Sequence, residues 1–172
     1  MPDPFEQRFP GGSASANAAV RALVETYDVI TRFANSAMDD YDLSPAARQA
    51  LATIDGAGGS LAQTEIAERL LTTPPSISSL VDTLERRGLV ERRRDPDDRR
   101  RQLVHLTREG TAIVRRFVPE AVALQTAVMA DVSEGDRARL LRLLQTIRDT
   151  TAALDGAEVV SEVRRRGERR RP

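Results

Sequence analysis

Cysteine is absent from this chain of 172 residues. Without a thiol the protein forms no disulfide bond, holds no metal ion through thiolates and senses no oxidant through cysteine. The single histidine, His105, cannot complete a zinc site by itself, and it has no convincing partner for nucleophilic catalysis. We therefore expect a protein without a metal ion or another cofactor, in which His105 has a structural or surface role.

Lysine is absent as well, so all 26 basic residues are arginines, and 26 acidic residues balance them to a formal net charge of zero. This balance conceals an uneven distribution. Residues 1–60 and residues 119–163 each carry four arginines and eight acidic residues. Residues 61–118 carry twelve arginines against nine acidic residues, and residues 164–172 carry six against one. A basic middle between acidic flanks indicates a nucleic-acid surface on one part of the molecule.

Long apolar runs are also absent. No stretch approaches the roughly 20 apolar residues that a membrane-spanning helix needs. Asp3 and Glu6 interrupt the start of the chain, where a secretory signal would have a continuous apolar core. These features predict a cytoplasmic protein with no membrane partner. Tryptophan is missing and aromatic residues make up only 3% of the chain, whereas alanine and leucine are frequent, which favours helices.

Two long segments carry apolar side chains at helical spacing. In residues 17–41 the apolar positions recur at steps of three and four, which predicts an amphipathic helix. Residues 107–155 predict two more such helices, the second of which starts near Ser133. Pro119 lies inside the first of these two helices, so we expect a kink or a break there.

The two ends of the chain differ from the rest in composition. Residues 1–16 contain three prolines and two glycines, which predicts a flexible N-terminal arm. Residues 156–172 end in "RRRGERRRP" and are expected to form an Arg-rich disordered tail. The remaining residues, 17–155, are enough for a single domain with its own core.

Between the long helical segments the sequence predicts two short helices and two strands. "LAQTEIAERLL" starts a helix at Leu61, and "TTPPSISSLVDTLERRG" predicts a second helix that Thr73 caps and Gly88 ends. "LVERRR" and "RQLVHLT" are strand candidates on either side of the turn signal "DPDD". A helix, a turn, a second helix and a β-hairpin form a winged helix-turn-helix, here at about residues 61–106. The predicted fold class is therefore mainly α with a small β-hairpin wing, flanked by N- and C-terminal helices.

The same segments resemble the MarR family of winged helix-turn-helix transcriptional regulators. "LAQTEIAERL" is similar to the family's first motif helix, and the end of "PSISSLVDTLERRGLVERR" matches the family pattern Leu-Glu-x-x-Gly-Leu-Val-x-Arg. "DPDDRRRQLVHLTREG" is similar to the family's wing, Asp-Pro-x-Asp-x-Arg, followed by a strand and Leu-Thr-x-x-Gly. Together these pieces span roughly residues 61–110, and the flanking helices fit the family's layout in order and length.

The resemblance implies a homodimer that binds double-stranded DNA. In the family the first helix and the last two helices build the dimer interface, which here corresponds to residues 17–41 and 107–155. The two winged motifs of such a dimer bind a pseudo-palindromic operator. On this resemblance we expect a sequence-specific transcriptional regulator, and in particular a repressor that a small ligand releases from its operator.

Residues of the second motif helix and of the wing are the candidate DNA contacts. The resemblance places the family's wing aspartate at Asp98, which orients the wing, and its wing arginine at Arg100, which reaches toward the minor groove. The full set of expected contacts is Thr73, Pro75, Ser76, Ser78, Ser79, Thr83, Arg94, Asp98, Arg99 and Arg100. Many family members carry Arg or Lys where this chain has Ser79 and Thr83. We therefore expect weaker base readout from the helix and more affinity from phosphate contacts and the wing.

The arginines of the wing have two interpretations. Arg92–Arg94 and Arg99–Arg101 either reach DNA or pair with the three aspartates of residues 95–98. Because alternate residues of a strand face opposite sides, about half of these arginines can pair locally while the others face DNA. On the motif helix, Asp82 is expected to pair with Arg86, four residues later.

A pocket for an effector is a further possibility that the resemblance implies. Family members often bind aromatic or phenolic molecules between the dimerisation helices and the winged motif. The residues that correspond to this region are Tyr27, Met38, Tyr41, Leu51 and Phe117. For each of these residues taken singly, an ordinary place in the core is the favoured interpretation.

A second class of function stays open beside DNA binding. A winged helix also serves as a protein–protein interaction module without specific DNA binding, and the acidic flanks and the nearly uncharged motif helix favour that alternative. An enzyme is not expected. The chain offers no paired carboxylates in a supporting context, no metal-ligand cluster and no nucleophile motif.

Overall fold

The structure, a computed structural model, describes Phe5, Arg8 and residues 12–95 and 102–168. Most of the predicted N-terminal arm and the end of the Arg-rich tail lie outside the described residues. The same holds for the turn of the wing, which contains three of the predicted DNA contacts: Asp98, Arg99 and Arg100.

The chain divides into two compact units, Met1–Thr126 and Ala127–Pro172. The first unit contains the helix-turn-helix and a small β-sheet, and the second contains the C-terminal helices. Within the described parts of the chain, none of the helices is both long enough and apolar enough to cross a membrane.

Helix α1 (Ala14–Ala37) is the first long helix of the first unit. Ser13 caps it, since its side-chain Oγ accepts a hydrogen bond from the N–H of Ala16 at 3.2 Å. The prediction that the flexible arm extends to residue 16 was therefore wrong. A serine cap followed by alanines is sufficient to start the helix before Asn17. A single 3-10 turn, Asp39–Tyr41, follows α1.

A short strand that the sequence did not predict lies between the next two helices. Helix α2 (Pro45–Gly56) begins as predicted, with Ser44 as its cap and a proline in its first turn. Strand β1 (Ser60–Ala62) then precedes helix α3 (Gln63–Arg69). Leu61, predicted to start the helix, instead pairs with a strand far along the chain. Three residues are too few to show the alternation of a strand, so only the tertiary pairing reveals β1.

The second motif helix and the hairpin wing lie where the sequence predicted them. Helix α4 (Pro74–Arg86) is followed by Gly88, whose φ of 70° lets the chain turn away from the helix. Strands β2 (Val90–Arg94) and β3 (Gln102–Leu106) pair in antiparallel fashion. Because β1 pairs with the other side of β3, the sheet has the order β1-β3-β2. The winged helix-turn-helix prediction is confirmed, with one extra strand.

Helix α5 (Arg108–Val128) follows the wing and continues through Pro119. Of the two outcomes predicted at this proline, a break is therefore wrong. Val114 and Phe117 on α5 are almost fully buried and belong to the core of the first unit. That core also contains the fully buried side chains of α2, α3, α4 and the sheet: Leu51, Ile54, Ile66, Ile77, Val81, Leu84, Val90 and Val104. These residues support the motif from behind.

The second unit consists of two capped helices. Helix α6 (Glu134–Ala152) starts at the predicted cap Ser133, whose Oγ accepts a hydrogen bond from the N–H of Asp136 at 3.2 Å. Helix α7 (Gly156–Glu168) starts after Asp155, whose Oδ1 lies 2.8 Å from the N–H of Ala157. The prediction that residues 156–172 are disordered was therefore wrong for residues 156–168. An aspartate cap starts a helix in a segment whose Arg-rich composition resembles that of a disordered tail.

Candidate nucleic-acid interface

The turn between α3 and α4 sets the direction of the second motif helix. Leu71 has a left-handed backbone with a φ of 51°, and the N–H of Thr72 donates to the carbonyl of Ala67 at 3.0 Å. These two features end α3 in the way that many helices end. Thr73 then caps α4 by accepting a hydrogen bond from the N–H of Ser76.

The N-terminus of α4 has almost no backbone donors left for an anion. Pro74 and Pro75 have no N–H group. The N–H of Ser76 donates to the Thr73 side chain at 3.4 Å, and the N–H of Ile77 donates to the Thr73 carbonyl at 3.1 Å. A helix N-terminus normally attracts phosphate through free N–H groups. Here the hydroxyls of Thr73 and Ser76, 2.8 Å apart, are the polar atoms that this end presents.

The polar face of α4 is exposed along its length. The predicted DNA contacts that the structure leaves exposed on this helix and its cap are Thr73, Pro75, Ser76, Ser79 and Thr83. Ser78 is half-buried, and its carbonyl accepts a hydrogen bond from Arg92 at 3.3 Å. The hydroxyl of Thr83 donates to the carbonyl of Ser79 at 3.0 Å and accepts from Arg86 at 3.1 Å. The helix thus brings these residues together, and their contact with DNA stays a prediction.

Arg92, at the centre of β2, connects the wing to α4. Its guanidinium lies 2.6 Å from a carboxylate oxygen of Asp82 and 2.6 Å from one of Glu85. The backbone N–H of Arg92 also donates to Glu85 at 2.9 Å. The Arg92 side chain is only 18% exposed, so these contacts are shielded from water. The strand and the helix are therefore joined by two charged pairs.

This arrangement corrects the expected pairing of Asp82 with Arg86. Arg86 donates to the backbone carbonyl of Asp82 at 3.4 Å, whereas the Asp82 carboxylate binds Arg92. Burial lowers the pKa of the Arg92 guanidinium, but its hydrogen bonds to Asp82 and Glu85 outweigh burial and raise that pKa above the ordinary value. Arg92 is therefore a fixed positive charge that neutralises the acidic side of α4.

The other two arginines of β2 are exposed. Arg93 pairs with Glu91 on the same strand. Arg94, one of the predicted DNA contacts, lies at the end of β2 opposite Gln102 of β3. Because alternate residues of a strand share a face, Arg94 is on the same side of β2 as Arg92, which faces α4. The structure therefore leaves Arg94 exposed beside the polar face of α4.

The segment that follows α1 is held by charged groups from two other helices. Arg48 of α2 is buried and donates to the carbonyl of Leu43 at 2.6 Å and to the side chain of Asn35 at 2.9 Å. Arg87, directly after α4, pairs with Asp42, whose backbone is left-handed with a φ of 48°. The sequence did not predict these contacts, and they connect the end of α1 to the end of α4.

Four of the five residues predicted to line an effector pocket pack in the core of the first unit. Met38, Tyr41, Leu51 and Phe117 are buried there, and the rings of Tyr41 and Phe117 meet edge to face at a centroid distance of 5.8 Å. Tyr27 lies apart from them on α1 and is 68% exposed. The structure thus brings four of these residues together, and an effector site among them stays a prediction.

His105 is half-buried in β3, where its Nε2 lies 3.3 Å from the Oγ of Ser60 on β1. This contact joins the two strands that pair there and agrees with a structural role. Among the described residues, no group of three histidine, aspartate or glutamate side chains is arranged to hold a metal ion.

Comparison with known proteins identifies the family. The MarR family pattern matches residues 41–101. The chain is 30% identical over 118 residues to the HTH-type transcriptional regulator PecS of Dickeya dadantii, and the alignment covers 67% of this chain and 71% of PecS. The chain belongs to the MarR family. It is also 34% identical over 84 residues to the HTH-type transcriptional repressor YetL of Bacillus subtilis, over 49% of this chain and 50% of YetL. The MarR-family chain thus spans about half the length of YetL.

Solved structures agree with this fold. AbsC, a MarR family transcriptional regulator from Streptomyces coelicolor, superposes with a TM-score of 0.76 at 19% identity, covering 83% of this chain and 98% of AbsC. A mutant of MarR from E. coli, in complex with operator DNA, gives 0.68 at 23% identity over 85% and 99% of the two chains. BpsR of Bordetella bronchiseptica, whose DNA binding is regulated by 6-hydroxynicotinic acid, gives 0.67 at 21% identity over 76% and 98%. At these identities the likeness shows the fold alone.

Proposed function

We propose that this MarR-family chain is a sequence-specific DNA-binding transcriptional regulator that represses by occupying its operator as a homodimer. The observation that carries the proposal is the exposed polar face of α4 beside the basic wing, with Arg92 holding the two together. YetL is a repressor, and MarR of E. coli binds operator DNA with the same fold. These relatives support the proposal for the winged motif in particular.

In this proposal α4 enters the major groove and the wing lies along the neighbouring backbone. The hydroxyls of Ser76 and Ser79 contact base edges, and Arg94 contacts phosphate. Because Arg92 neutralises Asp82, that acid does not repel the phosphates. Direct readout by the helix is weak, since no Arg or Lys faces the bases, and the wing residue Arg100 supplies discrimination in the minor groove.

A second copy of the chain is the proposed partner. Helix α1 exposes apolar side chains that no described residue of the first unit covers: Val20, Val24, Tyr27, Val29 and Phe33. Helix α6, within the second unit, also exposes apolar residues: Leu141, Leu143, Ile147 and, more weakly, Leu144. Exposed apolar surface of this kind is typical of an interface. A symmetric pair of chains presents two α4 helices to two half-sites about 34 Å apart.

A small ligand is proposed to release the protein from DNA in the cytoplasm. BpsR, with the same fold, responds to an aromatic acid. The proposed role is regulatory rather than enzymatic, because the described residues offer no arrangement of a nucleophile, a base and an oxyanion site.

The decisive experiment selects DNA fragments with the purified protein, sequences them, and measures affinity for the selected site by band shift. Arg100→Ala should cost about 1–3 kcal/mol in affinity if this side chain reads the minor groove. Arg148→Ala, at an exposed arginine of α6, is the matched control and should leave the affinity unchanged. Raising salt from 50 to 200 mM should weaken binding by roughly 10³–10⁵-fold if about 6–10 phosphates are neutralised.

The uncharged face of α4 also favours a second candidate function, a winged-helix module that binds another protein. Selection then enriches no DNA sequence, and affinity for any duplex stays weak. Recovery of a palindromic sequence would rule out this alternative.

A further inference from the structure

A pocket of about 450 Å³ opens on the first unit, between α2, the end of α3 and the first turns of α4. Its volume is within the range of roughly 300–1,000 Å³ that small-molecule sites have. Its apolar wall consists of Ala46 on α2, Leu70 after α3, and Ile77 and Leu80 on α4. Ile77 is buried in the core, so this wall is the outer surface of the packed motif.

Hydrogen-bonding groups surround this apolar wall. They belong to Gln49 on α2, Thr72 in the turn, and Ser76 and Ser79 on α4. The amide of Gln49 both donates and accepts, and the three hydroxyls do the same. An apolar surface with a few convergent polar groups is the usual composition of a site for a small organic molecule.

None of the residues that line the pocket is ionisable. The neighbouring N-terminus of α4 does not compensate for a negative charge, because Pro74 and Pro75 have no N–H and the N–H of Ser76 donates to Thr73. A charged ligand would lose hydration without gaining a counter-charge. The chemistry of the pocket therefore selects an uncharged molecule.

The turn beside the pocket has a further unusual feature. Leu71 lies between two lining residues, is 77% exposed and has a left-handed backbone. A leucine in this conformation costs about 1–2 kcal/mol, and its exposure gives no hydrophobic gain in return. Strained residues of this kind are concentrated at ligand-binding sites.

We propose that this pocket binds an uncharged aromatic molecule carrying one amide or hydroxyl group, and that the bound molecule competes with DNA for Ser76 and Ser79. The second half rests on the proposed function. The site is separate from the core cluster of Met38, Tyr41 and Phe117, in which an effector was first expected. Release of DNA would then need no movement of the wing, because ligand and DNA use the same two serines.

The first test uses benzamide as a neutral probe and benzoate as its charged counterpart, with the full chain in the absence of DNA. NMR titration should show saturable shifts for the amides of Thr72, Ser76 and Ser79 and for the side-chain amide of Gln49. Benzoate should bind at least about tenfold more weakly, because the pocket has no counter-charge. Shifts centred on Tyr41 and Phe117, equal binding of benzoate, or no saturable shift would overturn the proposal.

A filled pocket provides the second test. Ala46→Phe places a ring at an exposed position of the first turn of α2, and Ala157→Phe makes the same change in the first turn of α7, in the other unit. The first variant should weaken benzamide binding at least about tenfold, and the second should leave it unchanged, both with unaltered far-UV circular dichroism. Equal binding by Ala46→Phe would place the probe elsewhere.

The third test adds the DNA site that selection provides. At a benzamide concentration ten times its Kd, competition should weaken DNA binding about 11-fold per site. Unchanged DNA affinity with a saturated pocket would contradict competition, although the pocket would stand. If no DNA is bound in the absence of the probe, the proposed function fails, while the NMR titration still decides the pocket.

Discussion

The guanidinium of Arg92 lies 2.6 Å from the carboxylate of Asp82, and this pair joins the wing to the second motif helix. Glu85, one turn further along α4, holds the same guanidinium from the other side at 2.6 Å. Asp82 is therefore a structural partner of the wing rather than a reader of bases. The direction of β2 relative to α4 depends on this contact.

Replacing Arg92 should destabilise the motif. Arg92→Ala leaves two carboxylates without their partner at a site where the arginine is only 18% exposed. Since both acids are partly exposed, we expect a loss of about 1–2 kcal/mol in the free energy of unfolding, measured by urea denaturation. Arg93→Ala is the matched control on the same strand. Its 61% exposed side chain pairs with Glu91, so the expected loss is below about 0.5 kcal/mol. Equal losses in the two variants would show that Arg92 is no more important than a surface arginine.

Gly110 should tolerate no side chain. A Cβ at this position would overlap the backbone carbonyl of Leu89, which the start of α5 approaches closely. The hydrogen bond from the N–H of Thr107 to that same carbonyl, 3.1 Å long, keeps the two segments together. Gly110→Ala should therefore cost about 3 kcal/mol in the free energy of unfolding.

The control for this variant is Gly135→Ala. Gly135 lies in the first turn of α6, and nothing would lie within 4 Å of an added Cβ. Because alanine is the better helix former, the free energy of unfolding should stay equal or rise by up to about 1 kcal/mol. Thermal unfolding of both variants measures the difference. A Tm for Gly110→Ala close to that of the natural protein would contradict the close approach.

The ionisation of Tyr41 should depend on Glu120. The Tyr41 hydroxyl donates to Glu120 at 2.7 Å, and this hydrogen bond, together with burial, raises the pKa of Tyr41 above its ordinary value of 10.0. The native state thus keeps the phenolic proton at a pH where the unfolded chain releases it. The contribution to stability is complete below about pH 10 and is lost as the pH rises through the native pKa.

Glu120→Ala should lower the pKa of Tyr41, because the hydrogen-bond acceptor and its negative charge are both removed. An NMR titration of the Tyr41 ring signals in the natural protein and the variant measures this shift directly. The free energy of unfolding of the natural protein should also fall more steeply above pH 10 than that of the variant. An unchanged ring titration would show that Glu120 does not hold the phenol.

Leu71 should be improvable. Its left-handed backbone is unfavourable for a leucine, and its side chain is 77% exposed. Leu71→Gly removes the steric strain but adds entropy to the unfolded chain, so the net gain in the free energy of unfolding should be about 0.5–1 kcal/mol. Leu71→Val is the comparison, since a β-branched residue is worse in this conformation and should lower the Tm. A lower Tm for the glycine variant would mean that Leu71 makes an apolar contact that outweighs its strain.

The winged motif could be predicted from the sequence because its signals are local. Thr73 caps α4, and Ile77, Val81 and Leu84 repeat at the spacing that buries one face of a helix. Gly88 has the positive φ that its position after the helix requires. Periodicity, caps and turn residues act over a few neighbouring positions, and therefore they appear in the sequence itself.

The errors at the helix ends have a related cause. Ser13 and Asp155 are good caps, and they start helices inside segments whose overall composition is typical of disorder. Composition averages over a whole segment, whereas a cap acts on one turn. A closer examination of single capping residues would have found both helices.

By itself the sequence determined the order of the elements, the buried face of α4 and the family resemblance, all of which depend on neighbours in the chain. Only the tertiary structure decided that Arg92 binds Asp82 and Glu85, that Tyr41 binds Glu120, and that Ser60–Ala62 forms a strand. These relationships join groups that are distant in the chain, or that chain spacing alone does not select. The physical reason is that a charge or a strand edge binds whichever partner the fold brings within hydrogen-bonding distance.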